Sequence, residues 1–142
     1  MIYDLYYHDD FDGRASAAVM LAFLRARGDR IANYTPVNFD IEEKWPKMQF
    51  PRPGIVVDFV YHPQAIWYFD HHLTSFRLTK PNKANTLNLF WDKRYPSCTS
   101  FVLDTLVEKF GWKPPAYLKE LAKWLDVTDA AKFKSARQAI EL

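Results

Sequence analysis

The chain has 142 residues, 49% apolar, 17% aromatic and 25% charged, which excludes a disordered segment and is the size of one globular domain. Its net charge of +2 is unevenly spread: residues 1–70 carry 7 Lys/Arg against 10 Asp/Glu, and residues 71–142 carry 12 against 7. The longest apolar run, Ala15 to Leu24, is far short of the ~20 residues of a membrane span, no charged-then-apolar leader opens the chain, and the single cysteine, Cys98, excludes an internal disulfide framework and a Cys-only zinc site. The expectation is one cytoplasmic domain with no membrane partner.

In chain order, Ile2 to Tyr7 reads as a short strand, followed by the polar knot HDDFDGR (8–14). A helix is expected from about Ala15 to Arg27, apolar nearly all round, basic in its last turn and stopped by Gly28. Ala32 to Val37 reads as an edge or second strand, weakened by Pro36. Residues 44–54 hold three prolines and are a connector with only a short turn of structure. GIVVDF (54–59) and AIWYF (65–69) are continuous apolar runs of strand length, as expected when both faces of a sheet are covered. Leu87 to Trp91 is a further strand candidate. From Ser97 a helix runs to Gly111, a third follows Pro114–Pro115, and a fourth segment is expected from near Thr128. The order predicts an α/β fold with a mostly parallel central sheet flanked by helices. The basic residues Arg77, Lys80, Lys83, Lys93 and Arg94 are interleaved with Phe76, Phe90, Trp91 and Tyr95. That pattern suits either a phosphate-bearing ligand or a solvated loop over buried aromatics.

Three apolar strands run directly into His or Asp: IYDLYY into His8, GIVV into Asp58, and AIWYF into Asp70-His71-His72. Open α/β sheets place ligand sites beyond the carboxyl ends of their strands, so His8, Asp10, Asp12, Asp58, Asp70, His71 and His72 are expected at one rim. Two unit charges at about 4 Å repel by about 4 kcal/mol at an effective dielectric of about 20. Clustered carboxylates therefore need protons or cations. Mixed His and Asp donors suit Mn, Fe(II), Co or Zn better than Ca or Mg.

The segments HDDFDGRASAA (8–18), VVDF (56–59), DHH (70–72) and VTDAAKF (127–133) resemble, in order and with similar gaps, the four motifs of the DHH phosphoesterase superfamily. That superfamily includes single-strand exonucleases, nano-RNases that also act on phosphoadenosine phosphate, cyclic-dinucleotide phosphodiesterases and family II pyrophosphatases. The resemblance implies two divalent metal ions, Mn²⁺ first, with Co²⁺ or Mg²⁺ as alternatives. His8 and Asp10 would hold one ion, Asp12, His71 and Asp129 the other, and Asp58 would bridge both. His72 would meet the substrate phosphate as donor or acid, and Asp70 would orient its neighbours. Arg14 is a candidate phosphate contact and Asp9 is expected to be solvated. Asp129, four residues before Phe133, fits the last motif better than Asp126, although Ala130 replaces the family's Thr.

The implied activity is metal-dependent hydrolysis of a phosphodiester or phosphomonoester in a phosphate-bearing small molecule or short single-stranded nucleic acid. Family enzymes also carry a C-terminal second domain that grips substrate, and nothing in residues 1–142 resembles it. The expectation is thus either weak turnover or a metal- or nucleotide-binding module without turnover. A further alternative is a haloacid-dehalogenase-like phosphatase, because Asp10-Phe11-Asp12-Gly13 copies D-x-D-G; its nucleophile would be Asp10.

Overall fold

Five strands, β1 (Ile2–His8), β2 (Arg30–Val37), β3 (Gly54–Val57), β4 (Ala65–Asp70) and β5 (Asn88–Trp91), pair in the order β2-β1-β3-β4-β5 in a computed structural model that describes residues 1–129. Every pairing is parallel. The expected α/β architecture is therefore present, with a sheet that is wholly parallel among the described residues. None of their helices is long and apolar enough to cross a membrane.

The two faces of the sheet are covered differently. Leu5, Ile55, Val57, Trp67 and Phe69 point to one side, where they pack against α1 (Phe11–Ala26), α2 (Cys98–Phe110) and α3 (Ala116–Asp129). The alternate residues Tyr6, Val56 and Tyr68 point to the other side. Among the described residues no α-helix lies there; the connectors, with single 3-10 turns at Phe39–Ile41 and Trp45–Lys47, fold over it as an aromatic layer. Trp45, fully buried in the proline-rich connector, donates its indole N–H to the Val60 carbonyl at 2.9 Å. Phe50 stacks between Tyr6 and His62, with ring centroids 4.3 and 4.0 Å away. Each fully buried side chain of Leu or Phe size contributes roughly 1.5–3 kcal/mol, so this layer substitutes for a helix in removing apolar surface from water. Tyr61 closes it through a 2.7 Å contact with the Thr86 hydroxyl.

Several boundaries differ from the sequence reading, and three of the differences have a visible cause. Helix α1 begins at Phe11, not Ala15, because Asp10 is its N-cap: extended in backbone, it accepts from the Gly13 N–H at 2.8 Å. Strand β2 begins at Arg30 and keeps Pro36 within it. The Val37 carbonyl accepts from Asp9 N–H at 3.1 Å and so faces β1. Pro36, the preceding residue, faces the open edge, where a missing N–H costs nothing and discourages pairing with another strand. Helix α3 passes through Thr128 without the expected break, and the Thr128 hydroxyl donates to the Trp124 carbonyl at 2.8 Å. Ala130 and Phe133 of the last motif lie outside the described residues.

Gly13 lets the first turn of α1 press against the end of β1. A Cβ there would stand 1.8 Å from the His8 carbonyl oxygen, and backbone cannot yield as a flexible side chain can. Gly13→Ala should therefore lower stability by about 3 kcal/mol or more, read as a shift of the urea midpoint, and should move His8 away from Asp58. A midpoint unchanged from wild type would show that α1 can slide outward freely.

Candidate metal centre

The order β2-β1-β3-β4-β5 reverses direction between β1 and β3, since the chain leaves β1 towards β2 and leaves β3 towards β4. A crevice opens at such a point beyond the carboxyl ends of the two strands. Tyr7 and Val57 are in register, so His8 and Asp58 follow on adjacent strands at that crevice. Asp70, His71 and His72 come from the end of β4, Asp10 and Asp12 from the start of α1, and Asp129 from the end of α3. The structure brings all of these residues into three overlapping groups: His8, Asp10 and Asp58; Asp12, His71 and Asp129; and Asp58, Asp70, His71 and His72.

His71 shows how such a group is built. Its Nδ1 lies 2.9 Å from the Tyr95 carbonyl oxygen, an acceptor only, so Nδ1 carries a proton and the neutral form of the ring presents its lone pair at Nε2. That Nε2 lies 3.6 Å from Asp12 Oδ2, 3.5 Å from Asp58 Oδ1 and 3.7 Å from Asp129 Oδ2. None of these three approaches is a hydrogen bond. Both His71 Nε2 and Asp58 Oδ1 are buried without a hydrogen-bond partner among the described residues, a costly condition for two polar atoms. Donor atoms around a four-coordinate ion at about 2.1 Å stand about 3.4 Å from one another. The observed gaps match a divalent cation in the middle, and the residues present fit that group.

The second pocket shares Asp58. His8 Nδ1 is 3.0 Å from Asp10 Oδ2, and its ring is held edge-on to Phe39 at 5.0 Å. Asp58 sits in the left-handed region at φ 58°, where non-glycine residues are uncommon. Its N–H is tied to the Phe69 carbonyl at 2.9 Å, which fixes the carboxylate between the two groups. Burial, then the neighbouring carboxylates of Asp12, Asp70 and Asp10, push the Asp58 carboxyl well above its ordinary value. Burial and then Asp12 raise Asp129 to about 6. A group that resists ionisation this way is one that a cation would convert to a ligand.

His72 is oriented differently from His71. Its Nδ1 is 2.7 Å from Asp70 Oδ1, and this hydrogen bond raises the imidazole above its ordinary value. Asp70 is itself buried, accepting from Tyr68 Oη at 3.3 Å and closely from Ser75 Oγ. The Trp91 indole donates to the His72 carbonyl at 2.8 Å. Half of the His72 side chain is left exposed at the rim.

Other residues named from sequence lie elsewhere. Arg14 extends into solvent and is paired with Asp9 through Nε at 2.9 Å and Nη2 at 2.7 Å, so Asp9 is a partner rather than a free solvated residue. Arg77 pairs with Glu42 at 3.0 Å and Arg94 with Asp92 at 2.7 Å, which leaves less of the basic stretch to meet a ligand. Cys98 is buried and donates to the Phe69 carbonyl; burial pushes its thiol up and keeps it neutral. Asp126 is not among the groups around His71; it accepts from Ser97 and Ser100 hydroxyls at 2.6 and 2.7 Å, at the start of α2. Asp126→Asn should therefore cost about 1–2 kcal/mol of stability and leave cation stoichiometry intact, whereas Asp129→Asn should do the reverse. Equilibrium dialysis against Mn²⁺ beside urea unfolding separates the two, and a loss of cations in Asp126→Asn would reassign the ligand.

Sequence reasoning missed the double role of Asp12. Its carboxylate accepts from the Cys98 and Thr99 N–H groups at 2.9 and 3.0 Å and from the Thr99 hydroxyl at 2.7 Å. It thereby caps α2 from 86 residues away while facing His71. No local spacing could reveal it, because the partners are remote in sequence; the signal was only the pair Ser97 and Thr99 at a helix start. The Tyr95 carbonyl, Ser75 and Trp91 were missed for the same reason. No protein-family model matches the chain, and no curated protein matches it.

Proposed function

We propose that this protein is a phosphoester hydrolase of the two-metal kind, of the DHH type that its motifs resemble, acting on a nucleotide or a short single-stranded nucleic acid. The observation that carries the reading is the bare, buried Nε2 of His71 facing three carboxylates, beside a second His-and-Asp pocket that shares Asp58. His8, Asp10 and Asp58 would hold one ion, and Asp58, Asp12, His71 and Asp129 the other. Mn²⁺ suits that mixed donor set, with Co²⁺ or Mg²⁺ as alternatives. Bound there, divalent cations supply an acidified water and neutralise charge developing on a phosphoryl group.

The chain's own residues complete the site. Asp70 accepts from His72 Nδ1 and keeps His72 protonated further into the neutral range, so that its outer nitrogen can donate to a phosphoryl oxygen. Tyr68 and Ser75 hold Asp70 in place, and the Trp91 indole fixes the main chain of His72. The start of α1 at Asp10 turns backbone N–H groups towards the same rim, which favours an anionic substrate. Attack by Asp10 itself has less support, because one of its oxygens accepts from Gly13 and the other lies against His8.

The test is elemental analysis and Mn²⁺ titration of chelator-stripped protein, followed by hydrolysis of a generic aryl phosphodiester. Two saturable ions per chain with cation-dependent hydrolysis, lost in His72→Ala, are expected. Saturable ions without hydrolysis would leave a binding module; no saturable site would remove the reading altogether.

A further inference from the structure

A groove lies beside the rim, between α1 and the edge strand β2. It encloses about 240 Å³ and is lined by Tyr7, Arg14, Ala17, Ala18, Leu21 and Tyr34. Its origin is visible in the sequence of α1. Positions 14, 17, 18 and 21 recur on one helix face, and at 17 and 18 that face carries alanine, so the helix does not fill the space over β2. Tyr7 stands opposite Pro36, and Tyr34 opposite Leu5. The two tyrosines are thus diagonal neighbours on the same side of the sheet, near enough for both to meet one aromatic ligand. Tyr34 is 45% exposed despite its size, and the groove is largely apolar apart from the two phenols and the guanidinium.

Arg14 stands at the end of the groove nearest the metal centre, since its N–H bonds the Asp10 carbonyl at 3.0 Å. Among the described residues its guanidinium is held by Asp9 alone, in an exposed pair. Exposed ion pairs are weak, and a phosphate offers the guanidinium a stronger bidentate partner than one carboxylate oxygen. An aromatic slot that ends at an exchangeable arginine is matched by a ligand with a planar ring at one end and a phosphate at the other.

We propose that this groove binds a nucleobase, with the attached phosphate displacing Asp9 from Arg14, and so selects nucleotides over phosphates that lack a base. This deepens the reading of the site as a phosphoesterase, but its binding step needs no cation. The experiment is calorimetric titration of the full chain, stripped of cations by chelator, with AMP, adenosine and inorganic phosphate. AMP should bind saturably, and adenosine and phosphate each at least about tenfold more weakly. Ala18→Leu fills the groove from an exposed position on α1 and should weaken AMP about tenfold or more, as should Tyr34→Ala on the other wall. Asp9→Asn, which frees Arg14, should tighten AMP several-fold. Circular dichroism and Mn²⁺ titration of each variant check that the fold and the cation site are unchanged. AMP affinity unmoved by both Ala18→Leu and Tyr34→Ala, or equal affinity for AMP and inorganic phosphate, would overturn the groove. Mn²⁺ binding with no AMP binding overturns the groove alone, whereas AMP binding in a chain that takes up no Mn²⁺ supports the groove and overturns only the metal reading.

Discussion

Asp58→Asn should yield a protein that is more stable without cations and unable to hold them. The wild-type carboxyl is buried, stands among other carboxylates and occupies a left-handed backbone position. Asn tolerates that conformation better than most residues and carries no charge to desolvate. Its gain at neutral pH should be about 1–2 kcal/mol. The pH dependence follows from the same groups. Asp58 is raised, and Asp129 is raised from 3.8 to about 6, so the folded chain keeps protons that the unfolded chain has already released. Stability of the cation-free wild type therefore falls as pH rises from the ordinary carboxyl value through about 6 and levels off above the folded values. Asp58→Asn should flatten that fall. Added Mn²⁺ should stabilise the wild type more at about pH 8 than at about pH 5, because its ligands must be deprotonated, and should leave the variant unmoved. Hydrolysis of an aryl phosphodiester should drop about 10³-fold or more, as expected when a ligand shared by both ions is lost. A destabilised variant that still binds two ions would show that Asp58 supports the fold rather than the cations.

Asp12→Ala should be the most damaging substitution for folding within the site. Three donors converge on this carboxylate at the start of α2. Removing it strands two buried backbone N–H groups, at about 1–3 kcal/mol each before relaxation, while the Thr99 hydroxyl keeps the Asp12 carbonyl and the Ser16 hydroxyl as partners. A net loss of about 3–5 kcal/mol is expected by urea unfolding, with α2 loosened from α1 and the cations lost as well. Asp12→Asn keeps an accepting oxygen and should recover part of the stability but not the cation site. Stability within about 0.5 kcal/mol of wild type for Asp12→Ala would mean that α2 is capped adequately without it.

Most of the strands and their chemistry were legible in the sequence, because a parallel strand buried on both faces reads as a plain apolar run that stops at a polar residue. GIVV before Asp58 and AIWYF before Asp70 are such runs. The aromatic connector layer was not legible. Trp45, Phe50 and His62 lie among prolines with no period, and their packing depends on Tyr6 and Phe59 from distant segments. The start of α1 was placed too late because HDDFDG looks like a turn, and only the cap geometry of Asp10 shows that the helix begins inside it. Pro36 argued against a strand that exists because sequence cannot tell an inward from an outward edge position. In the site, the residues at strand ends were legible and their supports were not: the Tyr95 carbonyl and the Ser97 and Thr99 hydroxyls matter only once β5, α2 and α3 have closed around them.

The two helix starts that rest on this cluster bear on how a newly synthesised chain comes to be assembled. Asp10 lies at the N-terminus of α1 and Asp12 at that of α2, and each such end carries roughly half a positive charge. These are counter-charges that the polypeptide brings with it and cannot lose to a chelator. Together with protons retained on Asp58 and Asp129, they offset the repulsion among the carboxylates at the rim with no ion needed. Cation uptake would then be an exchange of protons for ions in a chain already folded, with the cost of the empty site borne by where two helices begin.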